Sequence, residues 1–210
     1  MATDESDHKK RRQTKAYKIG GRLAIELLTV IAGILIALFV NSVQEKRNDK
    51  KILDETLHAL SAEFDKNREN IKNVSHRLQR FRDTLEFYKD DESLSVYDLT
   101  LKSPGLTAVD LFTTNWQVTL SSNSLRLINF ETTTLLSKID AKHKELKDQG
   151  AILTSLVYNT LHYKNDREGF YHRKVLTSWI DGYIGNENEL VALYDQFKAG
   201  LSRKAKSGKP

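Results

Sequence analysis

Glu26 is the side chain whose position most clearly invites a chemical interpretation. It is the single charged residue in an otherwise apolar run over residues 23–40. A carboxylate inside a membrane span is energetically costly and is read by default as functional. Glu26 also lies one helical turn from Arg22, so that it can reach the polar edge of the span or pair there. Both interpretations, a functional buried acid and a tolerated interfacial acid, stay open at this point.

Small residues follow Glu26 at four-residue intervals, at Thr29, Gly33 and Ala37. On a helix this spacing makes a ridge of small side chains, and such ridges let a second membrane helix approach closely. Glu26, Thr29, Gly33 and Ala37 are therefore the candidate residues for a helix–helix contact in the membrane. The alternative is a monomeric anchor in which the ridge has no partner.

The remaining polar residues show no catalytic or metal-binding motif. No histidine has the i, i+4 partner and nearby acid of a helical zinc site, and the chain has no cysteine, no G-x-S-x-G and no phosphate-binding glycine loop. Two acidic clusters, at 90–92 and 187–189, do not follow the calcium-loop pattern. We interpret them as acids of a loop and of a helix start. The sequence predicts a non-enzymatic protein with no cofactor and no metal.

The C-terminal half is rich in aromatic residues, which raises one alternative function. Folding could bring four of them together around a pocket: Trp116, Tyr158, Tyr163 and Trp179. The chain would then be a periplasmic ligand-binding or sensor-like bundle. Because we find no second span, such a sensor would have to signal through a partner. Aromatic residues at the ends of helical bundles are more often core and rim.

The apolar run determines where the protein is expected to reside. Its eighteen residues would cover roughly 27 Å as a helix, close to the hydrocarbon thickness of a bilayer. A cleavable signal peptide usually has a shorter apolar stretch, of about 7–15 residues. We therefore predict an uncleaved signal-anchor that spans the bacterial inner membrane, with lipid as its first partner.

The basic residues that flank the span predict its orientation. Seven Lys and Arg precede it in residues 1–22, and four follow within residues 41–55. The positive-inside rule then places the N-terminus in the cytoplasm and the C-terminal domain in the periplasm.

The net charge of +5 does not indicate a nucleic-acid-binding protein. Residues 1–22 carry a net charge of +4 and residues 198–210 a net charge of +5, so that the chain between them is mildly acidic. Basic residues at a membrane anchor are explained by topology and anionic lipid. The C-terminal run is typical of a solvated, disordered end. Nucleic acid is therefore not an expected partner.

A long heptad pattern follows the span. Apolar residues recur at alternating steps of four and three, which is typical of a long helix packed nearly parallel to others. They are Leu53, Leu57, Leu60, Phe64, Ile71, Val74, Leu78, Phe81, Leu85 and Tyr88. Asn67 interrupts this seam at one position. Asn67 is our candidate register-setting residue between helices; the alternative is that it faces a gap or water within one chain.

Turn and capping signals divide the rest of the chain into shorter helices. Thr107 and Asp110 resemble a capping box that opens a helix, Ser121–Ser124 breaks it, and Asn129 can cap the next one, which we end at Gly150. Further turns are predicted at 181–182 and 185–186, with a last helix over 187–201. Residues 94–101 are the only weak candidate for a strand.

These observations predict an all-α fold. An N-terminal transmembrane helix continues into a long heptad helix, which packs with about four shorter helices as an extracytoplasmic bundle. The predicted segments, in order, are a basic cytoplasmic tail (1–22), the transmembrane helix (23–40), the heptad helix (41–89), an irregular connection (90–106), the helical bundle (107–201) and a basic disordered tail (202–210).

The span resembles that of an uncharacterised family of bacterial single-pass membrane proteins. These proteins open with a pattern G-E-I…G-I-L-I-A-L-x-x-N-x-W-x-E and continue into a long charged helix. Glu26, Gly33, Asn41 and Glu45 match the pattern, whereas Val43 stands where the family has Trp. The stretches 115–116 and 125–129 are also similar to the family's helix–turn–helix section. The resemblance implies a single-pass topology and supplies no catalytic residues.

Together these features favour a non-enzymatic, membrane-anchored helical protein that acts as an assembly or interaction subunit in the bacterial envelope. We expect it to assemble with itself or with another membrane protein, through the heptad helix and the span.

Overall fold

The computed structural model describes residues 4–91, 93–103, 106–160 and 166–207. Within these residues the chain is helical, without any strand, as predicted. The elements are α1 (Asp4–Phe87), α2 (Val96–Lys102), α3 (Thr114–Ser121), a 3₁₀ helix (Asn123–Leu127), α4 (Phe130–Thr160) and α5 (Asp166–Ser207).

The chain divides into two compact units, Met1–Ile52 and Leu53–Pro210. In the first unit, the described part of α1 contains one stretch long and apolar enough to cross a membrane, and none of that stretch is buried. The second unit contains the C-terminal part of α1 and all the other helices.

The predicted heptad seam forms the core of the second unit. Eight of its ten apolar residues, from Leu57 to Leu85, are buried, and Leu53 and Tyr88 pack against them. The same core contains residues of α4 and α5, among them Leu136, Ile139, Leu146, Ile180, Leu190, Tyr194 and Phe197. The seam is therefore covered by the chain's own helices.

Side-chain contacts show how these helices run. Arg82 contacts Asp181 at 3.4 Å, Arg68 contacts Asp195 at 3.2 Å, and Lys198 contacts Asp65 at 2.7 Å. Residue numbers fall on α1 as they rise on α5, so the two helices are antiparallel. The helix α4 is also antiparallel to α5, with its Lys142 and Gln149 side chains bound to Glu189 and Asn186 respectively.

The connection after α1 differs from its predicted form. Residues 96–102, inside the predicted irregular segment and the weak strand candidate, form α2. Ser95 caps α2 in a reciprocal capping box with Asp98. The box predicted at Thr107 and Asp110 opens no helix, and α3 begins only at Thr114. Residues 106–113 stay non-helical because backbone groups of Asp110 and Phe112 bind side chains of α1.

The C-terminal half has fewer and longer helices than predicted. The break at Ser121 and the cap at Asn129 are confirmed, since α3 ends at Ser121 and the Asn129 side chain accepts from the Thr132 N–H. The predicted end at Gly150 and the turns at 181–182 and 185–186 are wrong, because α4 and α5 run through them. A glycine within a helix costs about 1 kcal/mol, which burial of one large apolar side chain offsets. The tail predicted as disordered from residue 202 is helical as far as Ser207.

Gly150 has a packing role that separates it from the glycines of α5. A Cβ built on Gly150 would lie 2.7 Å from the Ala108 Cβ, whereas one built on Gly185 meets no atom within 4 Å. We expect Gly150→Ala to lower the free energy of unfolding by about 1–2 kcal/mol through overpacking. Gly185→Ala, the matched control, should raise it by about 0.5–1 kcal/mol through helix propensity.

Urea unfolding of the full chain in detergent, followed by tryptophan fluorescence, measures both effects, because Trp116 and Trp179 lie in the second unit. Equal changes in the two variants would show that the approach of Ala108 to Gly150 does not limit packing.

Candidate functional site

The candidate contact residues of the span lie on an exposed stretch of α1. Every residue from 26 to 40 is exposed. Glu26, Thr29, Gly33 and Ala37 lie on one side of the helix because their spacing of three or four residues approximates a helical turn. A side chain added at Gly33 would meet no atom of the chain within 4 Å. The ridge is thus open to a second helix.

Asn67 lies in the core of the second unit and has a partner within the chain. It is fully buried, its Nδ2 donates to the Phe112 carbonyl at 2.8 Å, and its Oδ1 accepts from the Phe112 N–H at 2.8 Å. The side-chain amide therefore binds both backbone groups of one residue, as a neighbouring strand would. One turn later, the Asn70 Nδ2 donates to the Asp110 carbonyl. These bonds hold residues 106–113 against α1.

Glu63 lies on α1 one turn before Asn67 and contacts the start of α3. Its carboxylate accepts from the Asn115 N–H at 2.7 Å and from the Trp116 N–H at 3.3 Å. The N-cap residue of α3, Thr113, makes no side-chain capping bond. A carboxylate satisfies the orphan N–H groups of a helix start and favours the positive end of its dipole. Glu63 therefore serves as the cap of a helix that is distant in sequence.

A neutral histidine lies between α4 and α5. His143 is 5% exposed, and its Nε2 lies 2.5 Å from the hydroxyl of Tyr194. Burial lowers the pKa of His143 to about 4, so the ring is neutral at pH 7. Tyr194 also stacks on Phe64 with ring centroids 4.7 Å apart. Burial raises the pKa of the Tyr194 hydroxyl, which keeps it protonated.

A buried acid joins α1 to α5. Glu187 is fully buried, and its Oε2 accepts a hydrogen bond from the Ser75 hydroxyl. Its Oε1 has no partner among the described residues. Burial raises the pKa of the Glu187 carboxyl to about 7, against the effect of the Ser75 bond. The sequence predicts Glu187 as an acid at a helix start; that prediction is wrong, because Glu187 lies in the interior of α5.

Arg173 connects α5 to the end of α1 through hydrogen bonds. Its side chain is almost fully buried, and Nη1 donates to the carbonyls of Tyr88 at 2.9 Å and Asp91 at 3.0 Å. The last carbonyls of a helix lack partners inside the helix, and a cation near them is favoured by the helix dipole.

The aromatic residues of the alternative pocket do not line one cavity. Trp116 donates from Nε1 to Asp140 at 2.8 Å, between α3 and α4. Trp179 lines a cavity of about 190 Å³ beside Gln149, and Tyr158 lines a different one beside Leu106. Tyr163 lies outside the described residues.

The described residues contain no group of three or more His, Cys, Asp or Glu side chains that could hold a metal ion. Buried polar residues are paired across helices instead, and their partners are mostly backbone groups or hydroxyls. These paired polar residues can fix the orientation of the helices and connecting segments relative to one another.

No family model, no curated protein and no solved structure matches this chain. The resemblance of the span to a family of bacterial single-pass membrane proteins therefore stays a prediction.

The buried polar residues that pair across helices form what we call the polar layer: Glu63, Asn67, Ser75, His143, Arg173 and Glu187. The sequence does not identify several of them. Glu63, Ser75, Glu187 and Arg173 lie in charged or polar stretches that predict solvent exposure. One local signal was present, because Glu63, Asn67 and Asn70 are spaced by four and three residues like the apolar seam. Their partners lie at least 40 residues away.

The shifted pKa values of Glu187 and His143 predict opposite pH dependences of the free energy of unfolding. The folded pKa of Glu187 is about 7 against 4.5, so the free energy of unfolding falls as pH rises from 4.5 to 7. The folded pKa of His143 is about 4 against 6.5, so the free energy of unfolding falls as pH falls from 6.5 to 4. Each effect amounts to about 3 kcal/mol at most, and in the native chain they largely offset one another.

In Glu187→Gln only the pH dependence due to His143 should remain. The free energy of unfolding of this variant should therefore fall steadily from pH 7 to pH 4.5. His143→Gln should show the reverse slope over the same range. Urea unfolding of full chains in detergent at several pH values measures both. If Glu187→Gln had the same pH profile as the native chain, the assignment of a buried protonated carboxyl would be wrong.

Asn67→Leu separates the two interpretations of the seam asparagine. This substitution removes two part-buried hydrogen bonds, to the Phe112 N–H and to the Phe112 carbonyl, and should lower the free energy of unfolding by about 1–3 kcal/mol. An intrachain role predicts this loss with no change in oligomeric state. A register-setting role between chains predicts altered oligomer size in crosslinking. Asn73→Leu, at an exposed position of the same helix, is the control and should change neither.

Proposed function

We propose that this chain is a membrane-anchored interaction subunit of the bacterial envelope. Its span anchors it in the inner membrane, with the N-terminus in the cytoplasm and the second unit as a helical bundle in the periplasm. The span associates with a second copy or with another membrane protein. The proposal is non-enzymatic in its chemistry and requires no cofactor.

The observation that carries the proposal is the exposure of the span. Ten large apolar residues between Leu27 and Val40 are 44–69% exposed. Burying one such side chain is worth about 1.5–3 kcal/mol, so the whole stretch represents on the order of 10 kcal/mol or more. That is comparable to the stability of a whole domain. Lipid, or lipid together with another helix, is the environment that removes this cost.

The structure changes which surface we propose for association. The apolar seam of α1 is covered by α4 and α5, so the surface that the sequence favoured is occupied within the chain. Thr29, Gly33 and Ala37, the residues of the ridge, are exposed. We therefore assign association to the ridge. The alternative of a ligand-binding bundle has less support, because Trp179 and Tyr158 line different cavities.

Cysteine crosslinking in liposomes tests the ridge, since the chain has no native cysteine. Gln44→Cys lies about 20° from Gly33 around the helix, on the side of the ridge, and Ser42→Cys lies about 180° from Gly33, on the opposite side. We expect disulfide-linked dimers from the first variant and few from the second. Adding Gly33→Leu should lower the dimer yield about tenfold, which corresponds to about 1.4 kcal/mol of lost contact.

Ala32→Leu is the matched control, since it adds similar bulk about 100° away from Gly33 around the helix. It should leave the dimer yield unchanged. Equal crosslinking from positions 44 and 42, or monomer at every protein-to-lipid ratio, would contradict self-association through the ridge.

A further inference from the structure

A small cavity lies between α4 and α5, and we refer to it as the Gly182 cavity. It measures about 190 Å³ and lies wholly within the second unit. Its lining consists of one residue of α4 and five residues of α5: Gln149, Ser178, Trp179, Gly182, Tyr183 and Asn186. None of these side chains carries a charge at pH 7. The walls of the cavity are therefore polar and aromatic, and uncharged.

The missing side chain of Gly182 keeps this cavity open. The five lining residues of α5 lie within an arc of about 140° around the helix, and Gly182 is in the middle of them. A Cβ built on Gly182 would meet no atom within 4 Å, so close packing does not require a glycine there. The backbone does not require one either, because Gly182 lies inside α5 and glycine is a poor helix former. Gly182 thus leaves space that the chain itself does not fill.

A closed ring of hydrogen bonds fixes the two amides of the lining. The Lys142 Nζ donates to the Asn186 Oδ1 at 3.1 Å, and the Asn186 Nδ2 donates to the Gln149 Oε1 at 2.7 Å. The Gln149 Nε2 donates to Glu145 at 3.2 Å, and Glu145 pairs with Lys142 at 2.8 Å. Lys142 also pairs with Glu189 at 2.7 Å, so its charge is balanced behind the cavity. Both amides are therefore oriented before any ligand binds.

The ring leaves hydrogen-bonding capacity on both amides. A side-chain amide has two N–H donors and two acceptor lone pairs. Among the described residues, Asn186 and Gln149 each use one donor and one lone pair. The side chains of Ser178 and Trp179 form no hydrogen bond with another described residue. Neighbouring donors and acceptors suit hydroxyl groups, because a hydroxyl both donates and accepts.

This lining matches the chemistry of a small, uncharged sugar. Trp179 and Tyr183 offer apolar ring surface to the C–H groups of a sugar, while the amides reach its hydroxyls. A charged ligand would find no opposite charge on the walls, and a purely apolar ligand would leave the amides unpaired. The cavity is smaller than the sites of about 300–1,000 Å³ that hold drug-sized ligands, so it suits a single ring.

We propose that the Gly182 cavity binds one uncharged sugar ring. The ring packs on Trp179, and its hydroxyls bind Gln149, Asn186 and Ser178. The site differs from the four-aromatic pocket that the sequence suggested, because among the described residues of that pocket only Trp179 lines it. It lies in the second unit and does not depend on association through the span. A free monosaccharide and the end of a glycan present the same chemistry, and the test includes both.

Saturation-transfer difference NMR with the full chain in phosphatidylcholine nanodiscs tests the site. The neutral probes are D-glucose, D-galactose, D-mannose and N-acetyl-D-glucosamine, and chitotetraose represents a glycan end. We expect at least one neutral sugar to bind with a dissociation constant of about 1 mM. The uronic acid and the amino sugar of the same configuration should bind about tenfold more weakly, because their charges would be desolvated without a partner. Tighter binding of chitotetraose than of the monosaccharides would identify a glycan, and weaker binding a free sugar.

Gly182→Leu and Gly185→Leu form a matched pair of variants. Both positions are exposed helical glycines at which a Cβ meets no atom within 4 Å, but Gly185 does not line the cavity. We expect Gly182→Leu to weaken binding about tenfold or more by filling the cavity, and Gly185→Leu to leave binding unchanged. Both variants should fold, since leucine is the better helix former, and urea unfolding checks this.

A second pair of variants tests the rim of the cavity. Ser178→Ala should weaken binding about threefold through loss of one hydrogen bond. Ser137→Ala, at an exposed helical position of α4 outside the cavity, is its control and should have no effect.

Unchanged binding in Gly182→Leu would overturn the proposal. So would the absence of binding by all four neutral sugars at about 20 mM, well above the expected dissociation constant. Equal or tighter binding of the charged sugars would also overturn it, because it would indicate a site with charged walls. Equal losses in Gly182→Leu and Gly185→Leu would show an effect on α5 as a whole, and would count against the cavity as the site.

Discussion

Burial of the apolar seam of α1 against α4 and α5 is the constraint on which the second unit depends. Residues from Leu57 to Leu85 on α1 share one core with α5, which runs antiparallel to α1, and with α4. Helices of this length derive most of their stability from packing of one face. Once the seam is closed, polar groups beside it lose contact with water, and pairing within the chain is strongly favoured. The contacts of Glu63, Asn67 and Ser75 follow from that requirement.

The polar layer gives the packing a defined register. An apolar seam tolerates sliding by one heptad, because similar side chains recur every seven residues. A carboxylate bound to two backbone N–H groups, and a side-chain amide bound to the N–H and carbonyl of one residue, tolerate no such shift. Glu63 and Asn67 therefore align α1 with residues 106–116, and Arg173 aligns α5 with the end of α1. These bonds organise the connecting segments that lack helical structure of their own.

Closure of the seam also limits which surfaces of the protein remain available for association. A helix whose heptad face is occupied internally has no such face to offer another chain. We assign association to the exposed span instead.

The sequence by itself determined the all-α class, the exposed apolar stretch, the inward face of α1, the break at Ser121 and the cap at Asn129. These features depend on periodicity and on short-range hydrogen bonds, which neighbouring residues specify. Only the tertiary structure decided that the seam is closed within the chain, that Glu187 is buried and that Gly150 and Gly185 lie inside helices. Each of these depends on contacts between residues far apart in sequence. A heptad pattern shows which face is buried but not what buries it. The sequence also does not show whether distant packing outweighs the free-energy cost of a glycine within a helix.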